Sequence, residues 1–341
     1  MKAAVVREYN KITIEEIPMP ELEEEEALIQ VTHIGVCGSD VHIYEGKLAA
    51  NYPVIPGHEF SGILAAIKTQ KYPSLKVGQN VVAHPLTSCG VCDLCITGRE
   101  NICAQVRIPG VHTAGCFAEY IKVPANKVYP IPEGMDLKLA AMVEPLAVAV
   151  HDVRKSGLKI GQSAYIIGGG PIGILTAMIA KAAGASRAAI GEINDYRIRF
   201  MKELGLEVVD LRETNLEKAV SALTDNKGFD VVFEDSGAGA AFDDMIKAAK
   251  IGGTIMLVGM PDKKQPVDIT ACAKRELHLI GCRIHPQIDY SAALDIVKSG
   301  EFNNQIERLI THTFSFNQVE EVMEFAVKDQ EHVKIILEVR N

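Results

Sequence analysis

Four cysteines lie close together in the sequence, at spacings that suit a metal ion. They follow the pattern Cys-x2-Cys-x2-Cys-x7-Cys within residues 89–103. Four thiolates, with no histidine and no vacant position, are typical of a closed tetrahedral structural zinc site. Disulfides are the alternative, but two-residue spacings favour a metal site, and a simple dithiol redox pair would leave two cysteines unexplained. The spacing therefore predicts structural zinc at Cys89, Cys92, Cys95 and Cys103.

A second, sparser group of metal-ligating residue types is spread over the first 150 residues. Its members are Cys37 in Val-Cys-Gly-Ser-Asp-Val-His, His58 and Glu59 in Pro-Gly-His-Glu-Phe, and Glu144 in Met-Val-Glu-Pro-Leu. One cysteine, one histidine and one or two carboxylates can form an open zinc site with a position left for water or substrate. By spacing alone, a buried cysteine or a satisfied core histidine is the commoner explanation. The pattern by itself leaves both interpretations open.

A glycine-rich segment in the second half of the chain has the form of a dinucleotide-binding turn. Gly168-x-Gly170-x-x-Gly173 follows an apolar run and opens a helical pattern, which is the context this motif requires. The glycines allow a tight turn, close approach of a pyrophosphate and close helix–strand packing. The N-terminus of the helix then offers free N–H groups to the phosphates.

An acidic residue after the next apolar run indicates which dinucleotide binds. Glu192 follows Gly173 by nineteen residues, can accept hydrogen bonds from both ribose hydroxyls, and carries a charge that repels a 2′-phosphate. It could instead cap the next helix, and Arg197 could recruit NADP or lie over the adenine. The expected cofactor is NAD, with NADP less favoured. The residues assigned to it are Gly168, Gly170, Pro171, Ile172, Gly173, Glu192, Arg197 and Val258.

The elements that carry these residues differ between the two parts of the chain. Up to about residue 150, short alternating segments such as 3–6, 27–31 and 77–82 predict a β-rich, barrel-like unit. Beyond it, apolar runs at 164–167, 188–191, 207–209, 230–233, 254–258 and 277–280 alternate with helical patterns, including helices near 171–183 and 195–204. Uniformly apolar strands between helices are typical of a parallel sheet covered on both faces. We therefore expect an α/β chain with a six-stranded doubly wound domain.

Composition excludes several classes of protein. The 341 residues are 48% hydrophobic and carry a net charge of −9 with no basic run, which argues against nucleic acid and anionic membranes as partners. Residues 160–180 are uncharged, but their Gly-Gly-Gly-Pro centre favours a strand, a turn and a helix over a membrane span. With no visible signal peptide and few cysteines, we expect a cytoplasmic protein.

Five motifs together resemble one enzyme family along essentially the whole chain. They are Cys-Gly-Ser-Asp-x-His, Gly-His-Glu-Phe-x-Gly, the four cysteines, Glu-Pro-Leu-x-Val-x-x-His and Gly-x-Gly-x-x-Gly, in the order and spacing of that family. The chain resembles zinc-dependent medium-chain dehydrogenase/reductases, the zinc-containing alcohol dehydrogenases, and among them the polyol (sorbitol) dehydrogenase branch. The resemblance implies oxidation of a secondary alcohol, with hydride transfer to NAD and two zinc ions per chain.

The resemblance also implies a domain plan and roles for individual residues. A GroES-like catalytic domain would cover residues 1–148, with a zinc lobe at about 86–106; a Rossmann domain would cover 149–284, and 285–341 would return to the first. Such enzymes form homodimers or homotetramers through the nucleotide domain. Cys37 and His58 would hold the catalytic zinc, with Glu59 beside it as an exchanging or neighbouring ligand and Glu144 bound directly or through water. Ser39 and His42 match the family's proton relay.

The substrate is the least determined part of the resemblance. Arg283 lies where polyol dehydrogenases keep an arginine that reaches substrate hydroxyls, but Ile284 replaces their usual aromatic residue, which argues against sorbitol. Arg283 could pair with a carboxylate or be a structural ion-pair partner. His112, in a segment resembling bacterial sugar-acid (L-galactonate-type) oxidoreductases, is a second pocket candidate. We expect a polyol, sugar or sugar-acid substrate.

The sequence leaves three alternatives open. L-Threonine 3-dehydrogenases share the Val-His-Ile-Tyr and Glu-Pro-Leu segments, and vicinal-diol dehydrogenases are a further option. A non-catalytic relative that binds NAD and zinc would be expected to lack some ligand or relay residues, whereas all of them are present here.

Overall fold

The chain divides into two compact units in a computed structural model that describes residues 1–329 and 331–339. One unit comprises Met1–Ala147 together with the residues from His285 onward, and the other comprises Val148–Ile284. The second unit is thus inserted in the chain of the first.

The first part of the outer unit is rich in short strands. In chain order its elements are β1 (Lys2–Glu8), β2 (Lys11–Glu16), β3 (Glu26–Val36), α1 (Gly38–Tyr44), β4 (Glu59–Ile67), β5 (Asn80–Ala83), α2 (Asp93–Ile96), β6 (Tyr120–Pro124), β7 (Val128–Pro130), α3 (Leu137–Ala140) and α4 (Val143–Ser156). The strand expected at 77–82 begins only at Asn80, because Gly78 adopts a positive φ of 90° in the turn before it. The unit boundary falls inside α4.

The inserted unit alternates strands with helices. Its elements are β8 (Ser163–Ile167), α5 (Pro171–Ala182), β9 (Arg187–Glu192), α6 (Asp195–Glu203), β10 (Glu207–Asp210), α7 (Leu216–Thr224), β11 (Phe229–Glu234), α8 (Ala241–Ala248), β12 (Ala249–Leu257), α9 (Ile269–Lys274) and β13 (His278–Gly281). They form one six-stranded sheet in the order β10-β9-β8-β11-β12-β13, parallel at every pairing. This confirms the doubly wound sheet, whose strand order reverses between β8 and β11.

The uncharged run at 160–180 folds as its glycines and proline predict. Buried strand β8 ends at Ile167, a glycine turn follows, and α5 starts with Gly170 as N-cap and Pro171 in its first turn. Proline suits that position because its missing N–H would have no partner inside the helix. No helix in the described part of the chain has the length and apolar content needed to cross a bilayer.

The last part of the chain completes the sheet of the outer unit. Its elements are α10 (Gln287–Ser299), α11 (Asn303–Arg308), β14 (Ile310–Ser315), α12 (Val319–Lys328) and β15 (Lys334–Glu338). The sheet runs β14-β15-β3-β4-β5-β7, with β6 also paired to β3, while β1 and β2 form a separate hairpin. Because β15 pairs with β3, Lys334 at the start of β15 lies near the end of β3, where the candidate metal ligands begin.

Candidate functional site

The four cysteines converge as their spacing predicts. All four Sγ atoms lie within 4.8 Å of one another. Neighbouring separations are 3.5 Å for Cys92–Cys95, 3.6 Å for Cys103–Cys89 and 3.8 Å for Cys92–Cys103 and Cys89–Cys95. A tetrahedron of zinc–sulfur bonds has edges of about 3.8 Å, whereas a disulfide needs about 2.05 Å. The donor set and its dimensions therefore fit zinc, and all four cysteines are free of disulfides.

Local backbone structure holds this lobe in shape. Paired backbone hydrogen bonds between Thr87 and Arg107 close its base, at 2.8 and 3.1 Å. The N–H groups of Val91 and Cys92 lower the pKa of the Cys89 thiol to about 6, and the N–H of Gln105 donates to Cys103 Sγ at 3.3 Å. The lowered pKa favours the thiolate of Cys89, and the thiolate is the metal-binding form of cysteine.

The second metal candidate is assembled where two neighbouring strands meet. Cys37 directly follows β3 and caps α1, His58 directly precedes β4, and Glu59 begins it. Since β3 and β4 pair antiparallel, the end of one lies beside the start of the other. A thiol, an imidazole and a carboxylate oxygen thereby lie within 4.8 Å of one another. This mixed set of a thiol, an imidazole and a carboxylate fits a zinc ion.

One buried carboxylate, which sequence reasoning missed, fixes both loops that carry these ligands. Asp40 accepts a hydrogen bond from the N–H of Cys37 and another from the N–H of Gly57, each at 2.9 Å. Its Oδ1 is also 3.9 Å from His58 Nδ1. Burial raises the pKa of Asp40, against the opposing effect of His58. Asp40 therefore holds the loop of Cys37 and the loop of His58 together.

A buried ion pair orients Glu59. Its Oε2 pairs with the ammonium of Lys334 on β15, and the side chains are each only 2% exposed. Burial raises the pKa of Glu59, Lys334 lowers it, and the nearby Glu144 charge raises it again, so that the net direction is upward. Burial opposes the charge of Lys334, but the Glu59 carboxylate raises its pKa overall.

The Glu59 side chain occupies space that a glycine leaves open. Gly35 lies opposite Glu59 in the β3–β4 register, and a Cβ added to it would overlap Glu59 Oε2. The absence of a side chain at Gly35 thus permits the observed orientation of the carboxylate.

Glycines also let a second segment pack against the loop that carries His58. A Cβ at Gly110 would collide with the backbone of Gly57, and one at Gly115 with the carbonyl groups of Pro56 and Gly57. The N–H of Gly115 donates to the carbonyl of Ile55 at 2.8 Å. The loop is therefore held by backbone contacts that no larger residue permits.

Glu144 lies outside the three-residue group. Its Oε1 is 3.0 Å from Nε2 of His285, and both side chains are buried. Burial works to raise the pKa of Glu144, but the hydrogen bond and charge of His285 lower it overall. Direct binding of zinc by Glu144 stays a prediction.

The two relay candidates share one helix face. Ser39 and His42 are three residues apart on α1, a spacing that places side chains side by side. The Ser39 Oγ is buried without a hydrogen-bond partner among the described residues, and His42 is half-buried. An unpaired buried hydroxyl two residues after Cys37, a candidate metal ligand, is a candidate contact for a substrate.

The two substrate candidates are placed differently. His112 is half-buried in the segment that packs on the His58 loop, and its Nδ1 accepts the N–H of Ile108 at 3.0 Å. Arg283 is exposed on the inserted unit, directly after β13 and Cys282. Their roles toward a substrate stay predictions.

The glycine-rich turn has the predicted geometry. Gly168 has a φ of 107°, and a Cβ at Gly173 would overlap the carbonyl oxygen of Gly168, so the helix start lies directly on the turn. Around Gly170, among the residues that the structure describes, only the end of Arg197 comes within 4 Å of an added Cβ. This open cradle, with the N–H groups of α5 at its edge, fits a pyrophosphate.

Glu192 ends β9 beside this turn. Its Oε2 accepts the N–H of Gly169 at 2.8 Å, and its Oε1 accepts the N–H groups of Ile193 and Asn194 at 2.6 and 2.9 Å. Arg197 Nη1 is 4.0 Å from Glu192 Oε2. Helix α6 is capped by Asn194 rather than by Glu192, so capping does not account for the acid. Val258 directly follows β12, and its N–H donates to the carbonyl of Glu234 at 3.1 Å.

Sequence reasoning missed Lys334 and His285 as well as Asp40. A signal existed for Lys334, since a lysine at the start of the apolar run Ile-Ile-Leu is unusual unless it is paired. His285 stood unassigned two residues after Arg283. Neither partner could be named from local spacing.

Comparison with known proteins agrees with this geometry. Residues 23–133 match the alcohol dehydrogenase GroES-like domain, and residues 171–299 match the zinc-binding dehydrogenase family. A 2-dehydro-3-deoxy-L-galactonate 5-dehydrogenase of Pseudoalteromonas atlantica is 39% identical over 82% of this chain and 82% of that protein. An L-threonine 3-dehydrogenase of Bacillus velezensis is 41% identical over 78% of this chain and 79% of that protein.

A solved structure extends the likeness to the whole chain. A protein of Sinorhizobium meliloti described as a zinc-binding dehydrogenase, bound to NADP, superposes with a TM-score of 0.90 at 30% identity, over 99% of this chain and 98% of that one. The relatives are dehydrogenases, which removes the non-catalytic alternative and makes this chain an oxidoreductase acting on CH–OH groups. The chain belongs to the zinc-dependent alcohol dehydrogenase family, among its polyol, sugar-acid and threonine dehydrogenases.

Proposed function

We propose that the protein oxidises a secondary hydroxyl of a polyol, sugar or sugar acid to a ketone, with NAD as the hydride acceptor. The observation that carries the proposal is the mixed group of Cys37, His58 and Glu59, with an unpartnered buried hydroxyl, Ser39, on the adjoining helix. Unlike four thiolates, a site with few protein ligands leaves a coordination position for a substrate. The hydroxyl proton and the hydride leave the substrate separately, and the ketone remains.

Two zinc ions per chain are part of the proposal. Cys37 and His58 would hold the catalytic ion, with Glu59 or Glu144 as a further ligand, directly or through water. Bound there, zinc lowers the pKa of a coordinated hydroxyl. Cys89, Cys92, Cys95 and Cys103 would hold the structural ion.

The dinucleotide would lie on the inserted unit. The turn from Gly168 to Gly173, including Pro171 and Ile172 at the start of α5, would bind the pyrophosphate. Glu192 would exchange its bonds to backbone N–H groups for the ribose hydroxyls, which favours NAD over NADP. Arg197 and Val258 complete the proposed contacts, and bound NAD accepts the hydride.

The chain's own groups would remove the proton. Ser39 Oγ would accept the substrate proton and pass its own toward His42, three residues along α1. His42 is half-buried and would release the proton to water. A relay of this kind contributes about 10²–10⁴-fold through general acid–base catalysis.

A sugar acid is the substrate class we favour. The relative from P. atlantica acts on such a compound, and Arg283 could pair bidentately with its carboxylate. His112, whose Nδ1 accepts the N–H of Ile108, is a second candidate contact for this substrate. L-Threonine is the second candidate, because the relative from B. velezensis is an L-threonine 3-dehydrogenase. We also propose a cytoplasmic homodimer or homotetramer.

The test is a metal-analysed enzyme assayed on a substrate panel. NADH formation is followed with polyols, aldonates, vicinal diols and L-threonine, each repeated with NADP and after chelation. We expect a sugar acid to give the highest kcat/KM and chelation to abolish turnover. The highest kcat/KM on L-threonine would shift the proposal to the second candidate, and no turnover with zinc and NAD bound would refute it.

The Ser39→Ala variant tests the proton path. We expect kcat to fall by about 10²-fold while zinc content and NAD affinity stay near those of the parent enzyme, since Ser39 Oγ has no partner among the described residues whose loss could disturb the fold. The exposed Ser74→Ala is a matched control. An unchanged kcat would remove Ser39 from the relay.

A further inference from the structure

We propose that His285 is a positioning residue that holds the Glu144 carboxylate, and that Glu100 of the four-cysteine lobe fixes the backbone carrying His285. The inference rests on the proposed zinc site at Cys37 and His58. It concerns a side chain that none of the sequence motifs includes.

Because both side chains are buried, the contact between His285 and Glu144 determines the orientation of the Glu144 carboxylate. His285 is fully buried, Glu144 is 6% exposed, and Nε2 lies 3.0 Å from Oε1. Little water can reach Glu144, so the orientation that keeps this hydrogen bond is strongly preferred. The Nδ1 of His285 has no partner among the described residues, whereas Nε2 faces the Glu144 carboxylate, so we assign Nε2 as the donor of this hydrogen bond.

The imidazole is itself held from two sides. It stacks on Tyr290 with ring centres 5.8 Å apart and meets the edge of His84 at 5.1 Å. The Nε2 of His84 lies 3.3 Å from the carbonyl oxygen of His285. Both neighbours are only 1% exposed. The ring therefore cannot turn away without disturbing a packed aromatic group.

The backbone next to His285 is under strain. Ile284 has a φ of 51°, in the left-handed region that β-branched residues rarely adopt. Such a conformation persists only where the surroundings impose it. This constrained backbone leads directly into His285, and on the other side of His285 the backbone is held by contacts of Gln287.

Those contacts lead to the four-cysteine lobe. The N–H of Gln287, which begins α10, donates to Glu100 Oε1 at 2.6 Å. The Gln287 amide accepts from Lys127 Nζ at 2.7 Å and donates to the carbonyl of Asn126 at 2.9 Å. Glu100 lies between the third and fourth lobe cysteines, and its carbonyl accepts the N–H of Cys103 at 3.1 Å. A continuous series of bonds therefore connects a lobe cysteine with Glu144.

The test compares three substitutions of His285 in the full-length, zinc-loaded enzyme. Gln offers an amide N–H near the position of Nε2, Asn offers one too short to reach Glu144, and Leu offers none. We expect His285→Leu and His285→Asn to lose about 10–100-fold in kcat/KM and to release one zinc per chain faster to a chelator. His285→Gln should retain most of both. His278→Leu, an exposed histidine on β13, is the control.

A double-variant cycle separates positioning from general structural support. If His285 acts through Glu144, the double variant His285→Asn/Glu144→Gln should match Glu144→Gln alone in kcat/KM and zinc release. Fully additive losses, or an Asn variant equal to the parent enzyme, would overturn the proposal. The Asn and Gln pair keeps the test open if the Leu variant does not fold.

The lobe connection is tested by Glu100→Gln. We expect a smaller loss of kcat/KM and a smaller increase in the rate of zinc release, because the amide can still accept the Gln287 N–H but carries no charge. The zinc of the lobe should be retained. Unchanged values in Glu100→Ala would refute the lobe's part. Failure of the proposed function is distinguishable, since it would appear in the parent enzyme as a single zinc per chain or as turnover unaffected by chelation.

Discussion

The two metal candidates of the outer unit are built in opposite ways. The four-cysteine lobe takes identical donors from one short stretch, residues 89–103, and closes it with a single bridge between Thr87 and Arg107. The centre at Cys37 and His58 takes different donors from the ends of two strands. It also depends on the distant Lys334, which pairs with Glu59. Identical donors from one loop can saturate a metal. Donors carried by separate elements can leave one coordination position of the metal open, where a substrate can bind and react.

The two regions also bury charge differently. Three of the four lobe cysteines are partly exposed, whereas Asp40, Glu59 and Lys334 are each at most 2% exposed. Removing one partner of a buried ion pair costs about 3–5 kcal/mol, because the other charge is left without compensation. Burying these charges therefore costs more free energy at the centre of Cys37 and His58, called the open centre below, than at the four-cysteine lobe. We expect the open centre to be the more sensitive to substitution.

The largest expected effect follows from removing a donor of the open centre. Cys37→Ala should lower kcat on the order of a thousandfold, since a metal ion supplies several kcal/mol to such a reaction. Metal analysis should find one zinc fewer per chain, with the lobe ion retained. Cys272→Ala, a buried cysteine on α9, is the matched control. Loss of both ions in Cys37→Ala would show that the two regions are not independent.

A smaller loss of turnover is expected when the closed lobe is broken. Cys103→Ser should also cost one zinc per chain, but its main effect should be on stability, with the thermal midpoint lowered by about 5–10 °C for a loss of a few kcal/mol. Cleavage by a protease within 87–107 should accelerate, which mass spectrometry detects. The turnover that remains should match that of Glu100→Ala if the lobe acts through His285. A loss of turnover as large as that of Cys37→Ala would contradict the division of roles.

The smallest effect tests the packing behind His58. Gly115→Ala places a methyl group against the carbonyls of Pro56 and Gly57, and overpacking of this kind costs about 1–3 kcal/mol. We expect a lower unfolding midpoint and a kcat reduced by less than in Cys37→Ala. Gly281→Ala is the control, because an added Cβ there meets no atom of the described part of the chain within 4 Å. Equal effects of the two substitutions would remove the special role of the Gly115 contact.

Sequence reasoning succeeded where the information is local. The alternation of apolar runs with helical patterns predicted the six parallel strands, because burial on both faces demands apolar residues throughout. The cysteine spacing predicted the lobe because all four donors, and the loops that carry them, belong to one short segment. The exception among the strands was 77–82, where Gly78 delays the start to Asn80.

It failed where the partners are far apart in the chain. The bond of Glu59 to Lys334 joins residues 275 positions apart (334 − 59), and that of Glu144 to His285 joins residues 141 positions apart. No periodicity marks such pairs, because the assembled fold alone brings them together: β15 beside β3 in the first pair, and α4 beside the segment before α10 in the second. Asp40 was missed for a different reason: it stands inside a recognised motif, but its role toward Gly57 depends on how the two loops meet.

The space that Gly35 leaves to the Glu59 carboxylate links the residues that positions 35 and 59 can carry. Because a methyl carbon there would occupy the place of Glu59 Oε2, a side chain cannot be acquired at 35 while a glutamate keeps its present orientation at 59. The two positions must therefore change together: a larger side chain at position 35 requires a shorter or differently oriented side chain at position 59. A chain with any larger residue at 35 would therefore have to release Lys334 from its partner, and would carry a differently charged centre.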